Sequence, residues 1–226
     1  MTHTLAMGGA NRSMLQLMKE LRARHNINPI VLAPKGKVAI SIVDKCMEEN
    51  IRCITAKYYW FKGSKNFKCY IKFVLNWIWY YPCLALSLHN LRIDLVHSNG
   101  SVIDVGGIIS RLKKVKHVWH LREFGDWDFN LFSVFGTWGE RHIYRMGDCF
   151  IAISKRIKER FMEVIPEEKI ELVYNGIAMR TPDLDAMHLN TLVQFVIVGV
   201  VQESKNQLEA LRAMSLFNTS LIFHLV

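Results

Sequence analysis

Two hydrophobic rhythms alternate along this chain. Strand-length segments carrying short apolar runs lie at 29–34, 52–56, 93–100, 116–124, 149–154 and 170–177, several of them ending in polar residues. Runs of this kind, rich in β-branched residues and bounded by proline, glycine or polar residues, mark strands buried on both faces. Between them, apolar residues recur three and four apart. Met14, Leu15, Leu17, Met18 and Leu21 stripe a first helix, and Ile40, Ile42, Val43, Cys46 and Met47 stripe a second over 38–50. Further helices are predicted over 105–112, 140–146 and 155–164, the last with Ser154 as N-cap. Residues 125–139 read as an aromatic and polar loop. Strands alternating with helices predict an α/β fold: a Rossmann-like, doubly wound parallel sheet with right-handed crossovers. The rhythm lapses over 178–190, where Pro182 and charged residues predict a linker. It resumes with a run at 192–199, a helix at 206–214 and a last run at 220–226. The expected organisation is one domain over 1–177, a linker over 178–190 and the incomplete start of a second Rossmann-like domain over 191–226.

The polar residues gather where the apolar runs end. The stretch 116–124 passes from a strand into His120, Arg122 and Glu123. Asn99 ends the run before it, Ser154 the run after, and Asn175-Gly176 the next. In open α/β sheets ligands bind outside the carboxyl ends of the strands. An imidazole, a guanidinium and a carboxylate there suit an anionic or polyhydroxylated ligand. A structural histidine beside an Arg–Glu ion pair explains the same residues equally simply. Gly8-Gly9 turns into the first helix and offers backbone N–H groups to an anion or a sugar, although a tight turn also calls for glycine. No apolar run precedes it, and residues 1–7 read as polar and irregular, so the first strand of the fold is missing from the pattern. In the second unit Gly199 follows a strand and Lys205 stands before a helix, an arrangement open to a diphosphate or to an ordinary turn with a solvated lysine.

Charge narrows the partners. A net charge of +9 points to an anionic partner. The basic residues are scattered, with no long Lys/Arg block and no nucleic-acid-binding motif, so nucleic acid is not expected. Five cysteines without a CxxC pair predict reduced thiols in a cytoplasmic protein. Nine histidines without ligand spacing predict no metal. No signal-peptide pattern opens the chain. The one membrane-length stretch, 70–88, is interrupted by Lys72, Asn76 and Pro82 and predicts a core helix rather than a span. Its aromatic density, with Lys62, Lys65 and Lys68 upstream, also suits an interfacial anchor.

The order of these pieces resembles the GT-B glycosyltransferases of the large retaining family 4. The resemblance rests on Gly8-Gly9-Ala10-Asn11-Arg12-Ser13, Asp94-Leu95-Val96-His97-Ser98-Asn99 and Trp119-His120-Leu121-Arg122-Glu123. It continues through Ile153-Ser154-Lys155, Val173-Tyr174-Asn175-Gly176-Ile177, Val198-Gly199 and Lys205-Asn206-Gln207. It implies two Rossmann-like domains, the first holding the acceptor and the second a nucleotide-diphosphate sugar. Sugar would pass to an acceptor hydroxyl with retention, without a cofactor or bound metal. The catalytic residue would be His120, beside the transferred sugar. Gly9 would lie near the donor phosphates, and Lys205 would neutralise the leaving diphosphate. Gly8, Asn99, Arg122, Glu123, Asn175 and Gly199 complete the expected substrate-binding set. The resemblance further implies polysaccharide or glycolipid biosynthesis and a carbohydrate or lipid-linked acceptor. Peripheral contact with an anionic membrane at its inner face goes with that setting.

Two features depart from the family pattern. Val200 stands where an arginine often follows the diphosphate-loop glycine, and the acidic pair that grips the donor sugar lies beyond Val226. The expectation is a chain truncated at both ends and inactive alone. The alternative is a non-catalytic acceptor- or lipid-binding Rossmann module that needs a partner chain.

Overall fold

A computed structural model describes residues 1–64, 66–176, 195, 197, 201 and 206–216. The chain divides into two compact units, Met1–Ile177 and Ala178–Val226.

The first unit opens with α1 (Gly9–His25), β1 (Ile30–Pro34), α2 (Ile42–Glu48) and β2 (Arg52–Ala56). A short β3 (Lys62–Gly63) leads into a helical arm made of α3 (Phe67–Leu75), a π-helical turn (Asn76–Tyr80) and α4 (Tyr81–Ser87). Then come β4 (Leu95–Asn99), α5 (Val105–Lys113), β5 (Lys116–Leu121), α6 (Asp126–Phe129), β6 (Phe132–Ser133) and α7 (Gly136–Tyr144). β7 (Cys149–Ala152), α8 (Lys155–Met162), a 3-10 turn (Glu167–Lys169) and β8 (Ile170–Leu172) complete it. In the second unit the described residues include α9 (Gln207–Met214). The expected linker, the strand at 220–226, Gly199, Lys205 and, apart from residues 195 and 197, the strand at 192–199 lie outside the described residues.

β1 and β2 pair in parallel, as do β4, β5, β7 and β8 in that spatial order. The piece that joins the two sheets is Met1-Thr2. Thr2 N donates to Leu32 O at 3.1 Å, Asn99 N donates to Met1 O at 2.8 Å, and Thr2 bridges Asn99 in parallel. The expected irregular segment is therefore a central strand reduced to two residues. It leaves no apolar run because two residues are too few to show one. Asn11 secures it: its amide receives the Thr2 hydroxyl proton and donates to Thr4 O and Ala6 O, both at 2.9 Å.

Other expectations change for local reasons. The second helix starts at Ile42, because Ser41 and Asp44 form a capping box that ends the preceding loop. Val38 and Ile40 lie outside it, exposed. The loop over 125–139 contains α6, the start of α7, and β6, which pairs antiparallel with β3. The predicted core helix over 70–88 is instead the exposed arm. No residue of α3 is buried, and α4 buries only Tyr81 and Leu84. Among the described residues no helix is long and apolar enough to cross a membrane.

Trp119 centres the core. It is fully buried, packs on Tyr144 and Phe150, and donates its indole N–H to Gly100 O at 2.9 Å. On the same face of β5, His117 packs against Trp119 with ring centroids 4.9 Å apart and meets the Ser98 hydroxyl at 2.9 Å. α5 lies so close above this pair that a Cβ on Gly106 would come within 2.0 Å of Ser98 Oγ and 2.9 Å of His117 Nε2. Gly106→Ala should therefore force β4 and α5 apart and cost about 1–3 kcal/mol, read as a lower urea midpoint. An unchanged midpoint would contradict this packing.

Candidate functional site

β4 and β5 run in register so that Asn99 lies opposite His120. Gly100 N extends the ladder by donating to His120 O at 3.0 Å. Gly100 has a φ of +133°, and a Cβ there would lie 2.6 Å from His3 Nδ1 and 3.1 Å from Glu123 Oε1. Only glycine lets the chain turn so tightly here.

Arg122 organises the edge. It is 9% exposed. Its Nε donates to Asn99 Oδ1. Its Nη1 donates to Ser13 Oγ at 3.0 Å and to Asn175 Oδ1 at 2.9 Å. Its Nη2 lies 3.4 Å from His120 Nδ1. One guanidinium thus ties α1, β4, β5 and the segment after β8 together, which its rigid fork of donors permits and a lysine would not. Burial lowers its pKa to about 10, with Glu123 opposing, so it stays cationic at neutral pH. Asn99 is also engaged inward, its Nδ2 donating to Ala10 O at 3.1 Å. Glu123 turns back to accept from the Ser101 N–H and, at 3.1 Å, from the Ser101 hydroxyl.

His120 differs from its neighbours. It is 7% exposed, and its ring stacks on His97 with centroids 5.5 Å apart. Arg122 can only donate, so Nδ1 accepts and the ring proton sits on Nε2. Among the described residues that Nε2 has no hydrogen-bond partner. Burial, helped by Arg122, lowers the pKa to about 3. His120 is therefore a neutral imidazole whose buried Nε2–H is unsatisfied among the described residues, as is Nε2 of the stacked His97, and it is too weak a base to hold a proton near neutrality.

Gly8 and Gly9 begin the 17-residue α1. The N-cap has no side chain to cap the first amides, and nothing lies within 4 Å of a Cβ built on either glycine. This helix end is an open, electropositive terminus. The structure thus brings Asn99, His120, Arg122, Glu123 and Asn175 to one sheet edge. Gly8 and Gly9 start the helix whose Ser13 joins Arg122. Ser154 caps α8, accepting from Ile157 N at 3.2 Å. Gly199 and Lys205 lie outside the described residues.

Sequence reasoning missed Ser13 and His97. Ser13 lies one helical turn beyond Gly9 on the same face, and His97 lies two residues before Asn99 on the same strand, so both spacings carried a usable signal. It also missed a second feature, a cavity of about 700 Å³ whose lining includes Lys62, Tyr70, Asp126, Thr137, Glu140 and Arg160. Lys62 pairs with Glu140, and Arg160 pairs with Asp126 at 2.6 Å and Glu140 at 3.2 Å. Lys62, expected beside an interfacial anchor, is 3% exposed and committed to this network. Its desolvation lowers its pKa against the pull of Glu140.

The Glycosyltransferase Family 4 model matches residues 7–180. Anabaena HepE in complex with UDP superposes with a TM-score of 0.55 at 17% identity, over 78% of this chain and 43% of that one. The apo form of the lipopolysaccharide outer core galactosyltransferase WaaB gives 0.54 at 15% identity, over 81% and 48%. A stretch of 72 residues is 33% identical to Protein bride of sevenless of Drosophila virilis, covering 32% of this chain and 8% of that protein. The chain spans less than half the length of these proteins. The fold is the Rossmann-like α/β arrangement of GT-B glycosyltransferases.

The buried imidazoles set how the fold responds to acid. His120 is held at about 3 and His117 at about 4, both mainly by burial, and His97 well below its ordinary 6.5. Below pH 6.5 the unfolded chain takes up these protons first, so stability falls as pH drops from 6.5 toward 4, and the buried α-amino group of Met1, lowered to about 5, starts a fall in the same direction from pH 8. Buried Asp104, raised to about 6, acts in the opposite direction, but singly. The melting temperature should therefore fall between pH 6.5 and 4, and His117→Gln should flatten that slope. A melting temperature constant over this range would contradict the neutral, buried state of these rings.

Proposed function

This chain belongs to Glycosyltransferase Family 4, and on that premise we propose that it forms the acceptor-side half of an enzyme transferring a sugar from a nucleotide-diphosphate sugar to an acceptor hydroxyl, with retention. One observation carries the reading: the unpartnered Nε2–H of neutral His120 at the sheet edge. A neutral donor fixed in a buried site is suited to a sugar hydroxyl, and its orientation is already set by Arg122. The open N-terminus of α1 at Gly8 and Gly9 would receive the donor phosphates. Gly199 and Lys205, which lie outside the described residues, would contact the diphosphate by the family resemblance, the lysine offsetting the charge that develops as the bond to the sugar breaks. Asn99, Arg122 and Asn175 frame the site, and Glu123 holds the turn over it.

The pKa of His120 also bears on proton flow. A base held near 3 does not take the acceptor's hydroxyl proton. The departing diphosphate oxygen gains the electron pair of the broken bond and is the stronger base, so the proton goes there as the new C–O bond forms on the same face of the sugar. The acceptor, a carbohydrate or a lipid-linked carbohydrate of polysaccharide or glycolipid synthesis, would occupy the 700 Å³ cavity. That cavity is lined by the loop continuing from Arg122 and Glu123, and its charged floor and the rings of Phe67 and Tyr70 suit hydroxyls and sugar faces. Work on a lipid-linked acceptor would bring the protein into peripheral contact with the inner face of an anionic membrane.

In the full-length protein, His120→Ala should lower turnover by about 10²-fold while leaving the circular dichroism spectrum unchanged. Turnover at the wild-type level would end the catalytic role. Gly9→Ala should fold normally, since its Cβ meets nothing within 4 Å, yet raise the KM for the donor. Lys205→Ala should weaken nucleotide-diphosphate binding about tenfold, and unaltered affinity would remove it from the phosphate site.

A further inference from the structure

We propose that the arm from Phe67 to Ser87 is a membrane-docking element that lies in the plane of an anionic bilayer surface, with its aromatic face among the lipid headgroups. The proposal names the surface that meets the membrane. It stands on the geometry of the arm and would survive failure of the sugar-transfer reading.

Three observations converge. The first is exposure on an anchored element. Asn76, fully buried at the π-turn, clamps the Tyr59 backbone, accepting from its N–H at 2.9 Å and donating to its carbonyl at 2.8 Å. Tyr81 is buried and donates to Asp104, and Leu84 packs with Val96 and Ile109 in the core. The arm is thus held firmly from behind. In front, Phe67, Ile78, Trp79 and Leu86 are 63–77% exposed, and Ile71, Val74 and Trp77 nearly half so. A soluble monomer does not leave so many large apolar side chains together in water without a partner.

The second observation is continuity. Phe135 stacks edge-on against Tyr70 and Phe73, with centroids 5.9 and 5.5 Å away, and meets Trp138 at 6.3 Å. Phe135 and Trp138 are themselves exposed. The apolar surface therefore extends from the arm onto the start of α7.

The third is charge. Between Glu49 and Asp94 the sequence contains no acidic residue, whereas Arg52, Lys57, Lys68 and Lys72 are exposed; Arg92 pairs with Asp94 at 3.6 Å. Lys57 and Lys72 lie over the rings of Tyr80 and Tyr59 at 5.1 and 5.4 Å. Tryptophan and tyrosine mixed with lysine and no carboxylate is the composition of an interfacial element facing anionic lipid. A second copy of this chain would set lysine against lysine, and it is disfavoured for that reason. Spanning is excluded for the arm, because the clamp on Asn76 keeps its middle in the protein body.

The arm also has a functional neighbour. Asn66, Phe67, Cys69 and Tyr70 line the 700 Å³ cavity. A bilayer against the arm would therefore lie beside that opening, where a lipid-borne substrate would enter.

The test is flotation of the full chain with vesicles of phosphatidylcholine, with and without phosphatidylglycerol and without any sugar substrate. Binding to the anionic vesicles is expected, weakened by added salt. The double variant Ile78→Glu/Trp79→Glu alters only exposed side chains and should reduce binding at least about tenfold with an unchanged melting temperature. Lys68→Glu/Lys72→Glu should abolish the preference for phosphatidylglycerol. No binding to either vesicle, or binding indifferent to both variants, would overturn the proposal. So would a dimer in light scattering that Ile78→Glu/Trp79→Glu dissociates, since the face would then belong to a second copy. Binding of UDP-glucose measured on the same variants is expected to be unchanged, which separates this proposal from the sugar-transfer reading.

Discussion

A single buried guanidinium holds the candidate site together. Arg122 reaches Ser13 on α1, Asn99 on β4 and Asn175 beyond β8, and it presses on Nδ1 of His120. Burying a cation costs several kcal/mol unless its donors are satisfied, and here polar oxygens take the Nε and Nη1 donors. The cost is offset only in one geometry, so the site is rigid before any ligand arrives. The same guanidinium raises the energy of a second positive charge beside it and, with burial, keeps His120 neutral. Remove Arg122, and the tautomer and orientation of His120 lose their cause, while burial still favours the neutral ring.

The sheet beneath depends on an equally small joint. Met1-Thr2 carries the hydrogen bonds that connect β1 to β4, and Asn11 and Tyr58 hold it there, the tyrosine hydroxyl donating to Thr2 O at 2.6 Å. Position in the sheet makes these two residues a strand, and their own character does not. Hydrophobic patterning therefore could not show it, whereas every strand buried on both faces stood out as an apolar run. Helix boundaries were legible where a cap agreed with the pattern, as at Ser154. They failed where a cap overrode it, as at Ser41, which excludes Val38 and Ile40 from α2.

The site was legible in outline and not in its wiring. Strand-end polarity picked out Asn99, His120, Arg122 and Asn175 because side chains at the carboxyl edge of a parallel sheet converge. It could not say that Arg122 would spend its donors on the protein, or that Glu123 would turn to Ser101, since those partners are far away in sequence. The arm shows the opposite difficulty. The same aromatic density describes a helix buried in a core and one lying on a bilayer, and only the exposure of Phe67, Ile78 and Trp79 separates the two. Lys62 was read as part of a basic surface because a sequence does not reveal that Glu140 and Arg160 close around it.

The claim on which the rest turns is that His120 is a neutral, Nε2-protonated donor awaiting a sugar. Nitrogen-15 NMR of the imidazole rings measures this directly. The account predicts that the His120 ring stays neutral, with its proton on Nε2, from pH 8 to pH 5, and that the Nε2 resonance moves when UDP-glucose is added. A His120 ring that titrates near 6.5, or that carries its proton on Nδ1 and does not respond to UDP-glucose, would contradict it.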